Sequence, residues 1–323
     1  MSAARAPAAP DEGSKLVLYA GLAANVLVAI TKFAAAAVTR SSAMLSEAVH
    51  SLVDSSNELL LLYGAHRASQ PPDREHPFGY GREVYFWSFV VSLMMFVAGA
   101  GVSVWEGVRH YLSAEPVRNP LASYVVLAVA GAFEAGAWWV SFREYRRRKG
   151  ERGYLQAAQE TKDPSVVIVF LENSADLLGI ALAASGIAAA TVLRDGRWDA
   201  AASIAIGLLL AVIAGFLARE TKKLLIGEAA RPSLVESVAR LARSQSGIGC
   251  YNGMLTVQLA PREVIVALSL DFEHRLRASE VQRVVASLES RVRKEHPEVV
   301  MVLVKPQSPE AYRTAHARWM NGP

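Results

Sequence analysis

Six long apolar runs decide what this chain can fold into. They fall at about residues 16–38, 43–65, 84–105 with an extension towards 111, 121–142, 165–193 and 198–217. A hydrocarbon core takes about 20 helical residues to cross, so each run is long enough. In lipid a segment must satisfy its own backbone N–H and C=O groups, as a helix or as part of a closed barrel. None of these runs has the apolar/polar alternation of a membrane barrel strand. The expected class is therefore an α-helical polytopic membrane protein with six transmembrane helices. The opening stretch MSAARAPAAPDEGS is polar and Ala/Pro-rich, without the charged-then-apolar layout of a cleaved signal peptide. Residues 1–14 read as a flexible tail, and the first run as a retained span.

Orientation follows from the basic residues. Net charge is only +4, but Lys and Arg are unevenly placed. The connector after the fourth run reads REYRRRKGERG; that after the second holds Arg67, Arg74 and Arg82, and Lys222 and Lys223 follow the sixth. The alternate connectors carry only Arg40, Arg118, Arg194 and Arg197. Cytoplasmic loops collect Lys and Arg, so both termini are expected in the cytoplasm. The basic run serves this orientation; no nucleic-acid partner is expected.

Past residue 227 the composition changes. Residues 233–244 read as a helix and 254–259 as a strand. Val264, Val266, Leu268, Leu270 and Phe272 alternate as a strand with one buried face. Ser279 with Gln282 reads as a capping box. Val281, Val284, Val285, Leu288 and Val292 recur at helical spacing, and 299–304 closes as a strand. The order helix, strand, strand, helix, strand predicts a small α+β domain. The expected division is a membrane domain over 15–226, a soluble domain over 227–307 and a C-terminal tail over 308–323. The single cysteine, Cys250, excludes an intrachain disulfide and a multi-cysteine zinc site.

The chemistry lies in ionisable residues inside the spans. SEAVHSLVDSSNE in the second run places His50 and Asp54 four apart, on one helix face, and FLENSAD in the fifth does the same for Glu172 and Asp176. A charge at mid-membrane costs about 2.5–3.5 kcal/mol on insertion scales, and such residues usually face a bundle interior or a cavity. Hydrogen-bonding glue between helices does not require three acids. One imidazole and three carboxylates form an N/O set that suits Zn²⁺ tetrahedrally, or a harder ion such as Mn²⁺ with added water. Glu47, Asn57, Asn173 and Ser174 stand near these motifs. They either orient ligands or make plain interhelical hydrogen bonds. Glu134, an isolated acid in the fourth run, fits a proton path and a structural hydrogen bond equally.

SSAMLSEAVHSLVDSSNELLLL, PPDREHPFGYGRE, LENSADLLG and the small C-terminal domain together resemble the cation diffusion facilitator family of divalent-metal/proton antiporters. The likeness runs from about Lys15 to Lys305. It implies that His50, Asp54, Glu172 and Asp176 hold the transported metal. Many zinc members carry His or Asp at the position of Glu172; the Glu form is similar to the branch that includes the animal mitochondrial zinc exporter. The resemblance also implies a homodimer with alternating access, and a cytosolic domain of ferredoxin-like, metallochaperone-like fold. Some relatives bind a second metal after the second helix, where Asp73, His76 and Tyr80 stand here, Tyr80 replacing a usual His. A rigid turn is the alternative reading of HPFGYGR. The C-terminal domain offers His274 and His296, few for a tight site. Asp199 also fits the family, but an N-cap or first-turn acid on its own helix dipole is the preferred reading.

The expected function is thus export of divalent cations, Zn²⁺ first and Mn²⁺, Co²⁺ or Fe²⁺ as alternatives, by proton antiport across a membrane expected to be the bacterial inner membrane. The metal is cargo, and no cofactor is expected. An intramembrane hydrolase would need an open water position and usually more than one His, and no HExxH is present. A metal sensor would leave three intramembrane acids without purpose. The chain therefore reads as a transporter and not an enzyme.

Overall fold

The computed structural model describes residues 12–113 and 119–321, with side chains described over 26–113 and 119–318. Residues 1–11 of the expected tail, and Arg118, lie outside the described residues. The chain divides into two compact units, Met1–Lys222 and Lys223–Pro323.

The first unit is helical. Its elements are α1 (Glu12–Thr39), α2 (Ser42–Ala68), α3 (Glu83–Met94), a π-helical segment (Met95–Gly101), α4 (Val102–Ser113), α5 (Pro120–Lys149), α6 (Tyr154–Glu160), α7 (Pro164–Leu193) and α8 (Arg197–Ile226). α3, the π segment and α4 run on as one helix, Glu83–Ser113. Among the described residues four helices are long and apolar enough to cross a membrane: Glu83–Ser113, Pro120–Lys149, Pro164–Leu193 and Arg197–Ile226. α1 contributes a shorter apolar stretch, Val26–Thr39. α2 is 27 residues long, but Glu47, His50, Asp54 and Glu58 interrupt its apolar run. α1 starts at Glu12, inside the expected tail. α5 runs on to Lys149 and α6 forms in the connector that follows. Ala157 and Ala158 of α6 are buried against Tyr145, Val167 and Ile168.

α2 lies among α1, α3, α4 and α7, while α5 packs on α1 and α7. The core between them is built from small residues, including Ala43, Ala175, Ala183 and Ala202, with Met44, Ile187 and Ile206. Small side chains let membrane helices approach closely, because lipid supplies no hydrophobic drive between them. At Gly207 of α8 the approach is so close that a Cβ would lie 2.9 Å from the Ala100 carbonyl oxygen. Large apolar side chains such as Trp105, Phe133, Val140 and Val212 face outward. In water so apolar an exterior would aggregate; in hydrocarbon it is solvated.

α2 begins with Ser41 as its N-cap, whose hydroxyl accepts from Met44 N–H at 3.0 Å. Asp199, in the first turn of α8, reaches across to the same helix end. Its carboxylate accepts from Ser41 Oγ at 2.7 Å, from Ser42 N–H and Oγ at 2.7 and 3.0 Å, and from Ala43 N–H at 3.3 Å. A fully buried acid thus satisfies the orphan donors of a neighbouring helix, beyond any effect on its own dipole.

The second unit comprises α9 (Pro232–Arg243), β1 (Ile248–Ala260), β2 (Glu263–Phe272), α10 (Ala278–Glu295), β3 (Val299–Pro306) and α11 (Pro309–Asn321). The sheet order is β1-β2-β3. β1 pairs antiparallel with β2, for example Met254 with Leu268, and β3 pairs parallel with β2, for example Val302 with Val266. Val264, Val266, Leu268 and Leu270 are buried against Leu234 and Val238 of α9 and Leu288 and Val292 of α10. Three details differ from expectation. β1 starts at Ile248, ahead of 254, because irregularities around Cys250 and Gly253 break its alternation. α10 starts at Ala278, so Ser279 lies inside it; the helix start is closed instead by Glu280, which accepts from Arg277 N–H at 2.8 Å. The expected C-terminal tail contains α11, and the Tyr312 ring fills the space that a side chain at Gly253 would need.

Candidate metal centre

α2 and α7 bring three of the four expected ligands to one point. One ligand atom each of His50, Asp54 and Asp176 lie within 4.8 Å of one another. His50 Nδ1 is 3.4 Å from Asp54 Oδ1, and His50 Nε2 is 3.1 Å from Asp176 Oδ1. These separations are short, yet His50 Nδ1 and Nε2, Asp54 Oδ1 and Asp176 Oδ1 all lack a hydrogen-bond partner of proper geometry. Buried polar atoms are almost always paired. A set of nitrogen and oxygen atoms that converge without pairing suits a cation, whose coordination needs their lone pairs. An ion bound at one ring nitrogen leaves the other facing a carboxylate, the arrangement that fixes tautomer and ring orientation at many metal sites.

The fourth expected ligand stands apart. Glu172, one turn before Asp176, is buried but outside the cluster. Its carboxylate accepts from Asn57 Nδ2 at 2.8 Å. Asn57 is thereby a direct partner of Glu172. Asn173 and Ser174 face the other way and join α7 to α5: Asn173 Nδ2 donates to Ser141 Oγ at 3.1 Å, and Trp138 Nε1 donates to Ser174 Oγ at 3.1 Å. Glu134 is half-buried on α5 and interacts electrostatically with Asp176, Lys32, His50 and Glu47.

Glu47 lies one turn before His50 and is fully buried. Its partner is Lys32 of α1, also fully buried, with Nζ 3.2 Å from Glu47 Oε2 and donating to Ser51 Oγ at 2.7 Å. The sequence reading missed Lys32. The signal was there: a single cation inside an apolar run is as costly as the acids that drew attention. Gly179 of α7 touches the Glu47 carboxylate, and a side chain there would collide with Oε1. Glu58, one turn past Asp54 and half-buried, was also passed over.

In the connector, Asp73 accepts from Glu75 N–H at 2.9 Å, from His76 N–H at 2.6 Å and from the Tyr80 hydroxyl at 2.7 Å. His76 Nδ1 lies 3.6 Å from Asp73 Oδ1, and its ring lies 4.3 Å from that of Tyr80. The carboxylate closes a turn here, and Tyr80 and the His76 amide hold its pKa below the ordinary value. In the second unit His296 sits between Glu295 and Glu298, at 3.7 and 3.6 Å, while His274 is exposed.

The helical unit carries a buried N/O cluster on two helices, and residues 18–226 match the cation efflux transmembrane domain. The chain belongs to the cation efflux, or cation diffusion facilitator, family. It is a multi-pass membrane protein. Its relatives include the "Proton-coupled zinc antiporter SLC30A9, mitochondrial" of Mus musculus, 29% identical over 267 residues, 82% of this chain and 47% of that protein. "Metal tolerance protein C4" of Arabidopsis thaliana is 26% identical over 268 residues, 82% and 59%. "Cation-efflux pump FieF" of Cronobacter sakazakii is 26% identical over 287 residues, 88% and 90%. The chain thus spans about half the length of the mitochondrial relative, 47%, and nearly all of the bacterial one, 90%.

Proposed function

We propose that this chain exports divalent metal cations from the cytoplasm, Zn²⁺ foremost, in exchange for protons. The observation that carries the reading is the buried convergence of His50, Asp54 and Asp176, with the imidazole between two carboxylates. Family membership and the printed name of the mitochondrial relative support the ion and the coupling. His50, Asp54 and Asp176 bind first. Glu172 completes a tetrahedral N/O set by rotating away from Asn57. Because binding requires neutral imidazole and ionised carboxylates, metal and protons compete for one site. An inward proton gradient then drives metal out.

In this reading α1 and α2 also span, giving six spans with both termini cytoplasmic. Residues 15–226 form the membrane domain and 227–307 a metallochaperone-like cytosolic domain. The protein works as a homodimer in a bacterial inner membrane. The turn at Asp73 and His76 serves structure. Mn²⁺, Co²⁺ and Fe²⁺ are the competing cargoes, since three acids make the site harder than a two-His set.

The test is transport by purified protein in proteoliposomes, comparing Zn²⁺, Mn²⁺, Co²⁺, Fe²⁺ and Cd²⁺ with and without a pH gradient. Zn²⁺ accumulation that stops when an ionophore collapses the gradient is expected. Accumulation that continues without any ion gradient would rule out antiport by this cluster.

A further inference from the structure

The two flanks of the cluster on α2 differ. Towards the C-terminal end, Asp54 keeps 17% of its side chain exposed and Glu58 one turn on is half-buried, with Asn57 buried beside it. Towards the N-terminal end the next groups are sealed: Glu47 and Lys32 are fully buried and Ser46 is 1% exposed. Beyond this layer a cavity of about 450 Å³ opens at the α1–α2 turn, lined among others by Phe33, Arg40, Ser42, Leu45, Glu106 and His110. At 1.5 Å per residue, Glu47 lies about 4.5 Å from His50 along the helix axis and Ser42 about 7.5 Å further on. Lys32 directly precedes Phe33 of the cavity wall. Along the helix axis the ion pair therefore stands between the cluster and the cavity.

We propose that Lys32 and Glu47 are the outer gate of the transporter, holding the metal site closed towards the α1–α2 cavity. This rests on the transport reading above. A divalent cation leaving the cluster in that direction meets an ammonium held at two points, by Glu47 Oε2 and Ser51 Oγ. Like-charge repulsion in a buried, weakly screened place is a barrier. Glu47 is also the next carboxylate on the route. Its Oε1 is buried without a hydrogen-bond partner, against Gly179. When Lys32 swings away, Glu47 becomes a transit ligand for the departing ion. When Lys32 returns, it neutralises Glu47 and shuts the path. The gate thus swaps one cation for another on the same carboxylate, so the acid is not left buried and uncompensated.

The test is ⁶⁵Zn flux and equilibrium Zn²⁺ binding by the full-length Lys32→Met variant beside wild type. The expected result is Zn²⁺ affinity near the wild-type value, with downhill flux in the absence of a proton gradient raised about tenfold, the factor that ~1.4 kcal/mol of lost barrier gives. That leak should vanish in Lys32→Met/Asp176→Ala, because it runs through the site. Ser51→Ala, which removes one of the two points that hold the ammonium and keeps Glu47 in place, is the second variant if Lys32→Met does not fold: its downhill flux should rise above wild type with Zn²⁺ affinity near the wild-type value. A wild-type protein that moves no Zn²⁺ sinks the transport reading and the gate with it. A wild-type that transports, beside folded variants that stay fully coupled or bind Zn²⁺ without moving it, overturns the gate alone.

Discussion

Asp176 and Glu172 are both buried acids on the same face of α7, yet they have different surroundings. Asp176 faces His50 Nε2 at 3.1 Å. Glu172 accepts an amide hydrogen bond from Asn57. The two should respond differently to substitution. Asp176→Ala removes a member of the three-residue cluster and is expected to abolish both Zn²⁺ binding and transport. Glu172→Gln keeps the size and a hydrogen-bonding carbonyl, and is expected to weaken Zn²⁺ binding by about 10–100-fold, the range seen when groups supporting a metal site are changed. Equilibrium binding and proteoliposome flux on folded, monodisperse variants read both effects. Equal losses in the two would make Glu172 a full ligand from the start.

At the scale of elements, α2 matters most, and its position is fixed from outside. The Asp199 carboxylate accepts from two hydroxyls and two amides at the α2 N-terminus. Hydrogen bonds to a charged group contribute about 1.5–3 kcal/mol each, non-additively. Asp199→Ala is expected to cost about 2–4 kcal/mol of stability, because four buried donors lose a shared acceptor. A lowered thermal transition in detergent, with Zn²⁺ binding weakened only through α2, is the expected outcome; an unchanged transition would show that the cap is dispensable. The connector that follows α2 carries a pH prediction. Donors from Tyr80 and His76 hold the Asp73 pKa low. The stabilising effect of a depressed carboxylate is complete above its unfolded pKa of about 3.9 and is lost as pH falls through the folded value. The turn is thus expected to stay closed at neutral pH and to open only in acid below that range. A ¹⁹F signal from fluorotyrosine at position 80 should be constant from neutral pH down to the unfolded value and then shift. In Asp73→Ala it should sit at the open position at every pH.

For the whole molecule, orientation and assembly are the remaining questions. Arg146, Arg147, Arg148 and Lys149 end α5, and Lys222 and Lys223 lie near the end of α8. Both ends should therefore face the cytoplasm. In a Cys250→Ser background, Glu151→Cys is expected to react with an impermeant thiol reagent only after cells are permeabilised. Reaction in intact cells would invert the topology and with it the direction of transport. The same inversion would put the Lys32–Glu47 layer on the cytoplasmic side of the cluster, so this measurement also fixes which face the gate closes.

The sequence alone determined the class of molecule and marked the ionisable residues inside its spans. Long apolar runs without the alternation of a barrel strand are satisfied in lipid as helices, and His50, Asp54, Glu172 and Asp176 are conspicuous there because a charge in lipid is costly. The alternation of Val264, Val266, Leu268 and Leu270 likewise marked the buried face of β2. These signals are local: spacing along one helix or strand puts residues on one face whatever lies opposite. Contacts between elements are not local. The pairing of Lys32 with Glu47, of Asn57 with Glu172 and of Asp199 with the start of α2 joins residues 15, 115 and more than 150 positions apart. No periodicity encodes which of several buried polar groups will meet. Tertiary packing therefore decided that three of the four expected ligands converge while Glu172 is held back. It also decided that Lys32 of α1 lies against Glu47, one turn from the cluster. In a low-dielectric interior each buried charge must find a specific partner, and only the fold brings those partners together.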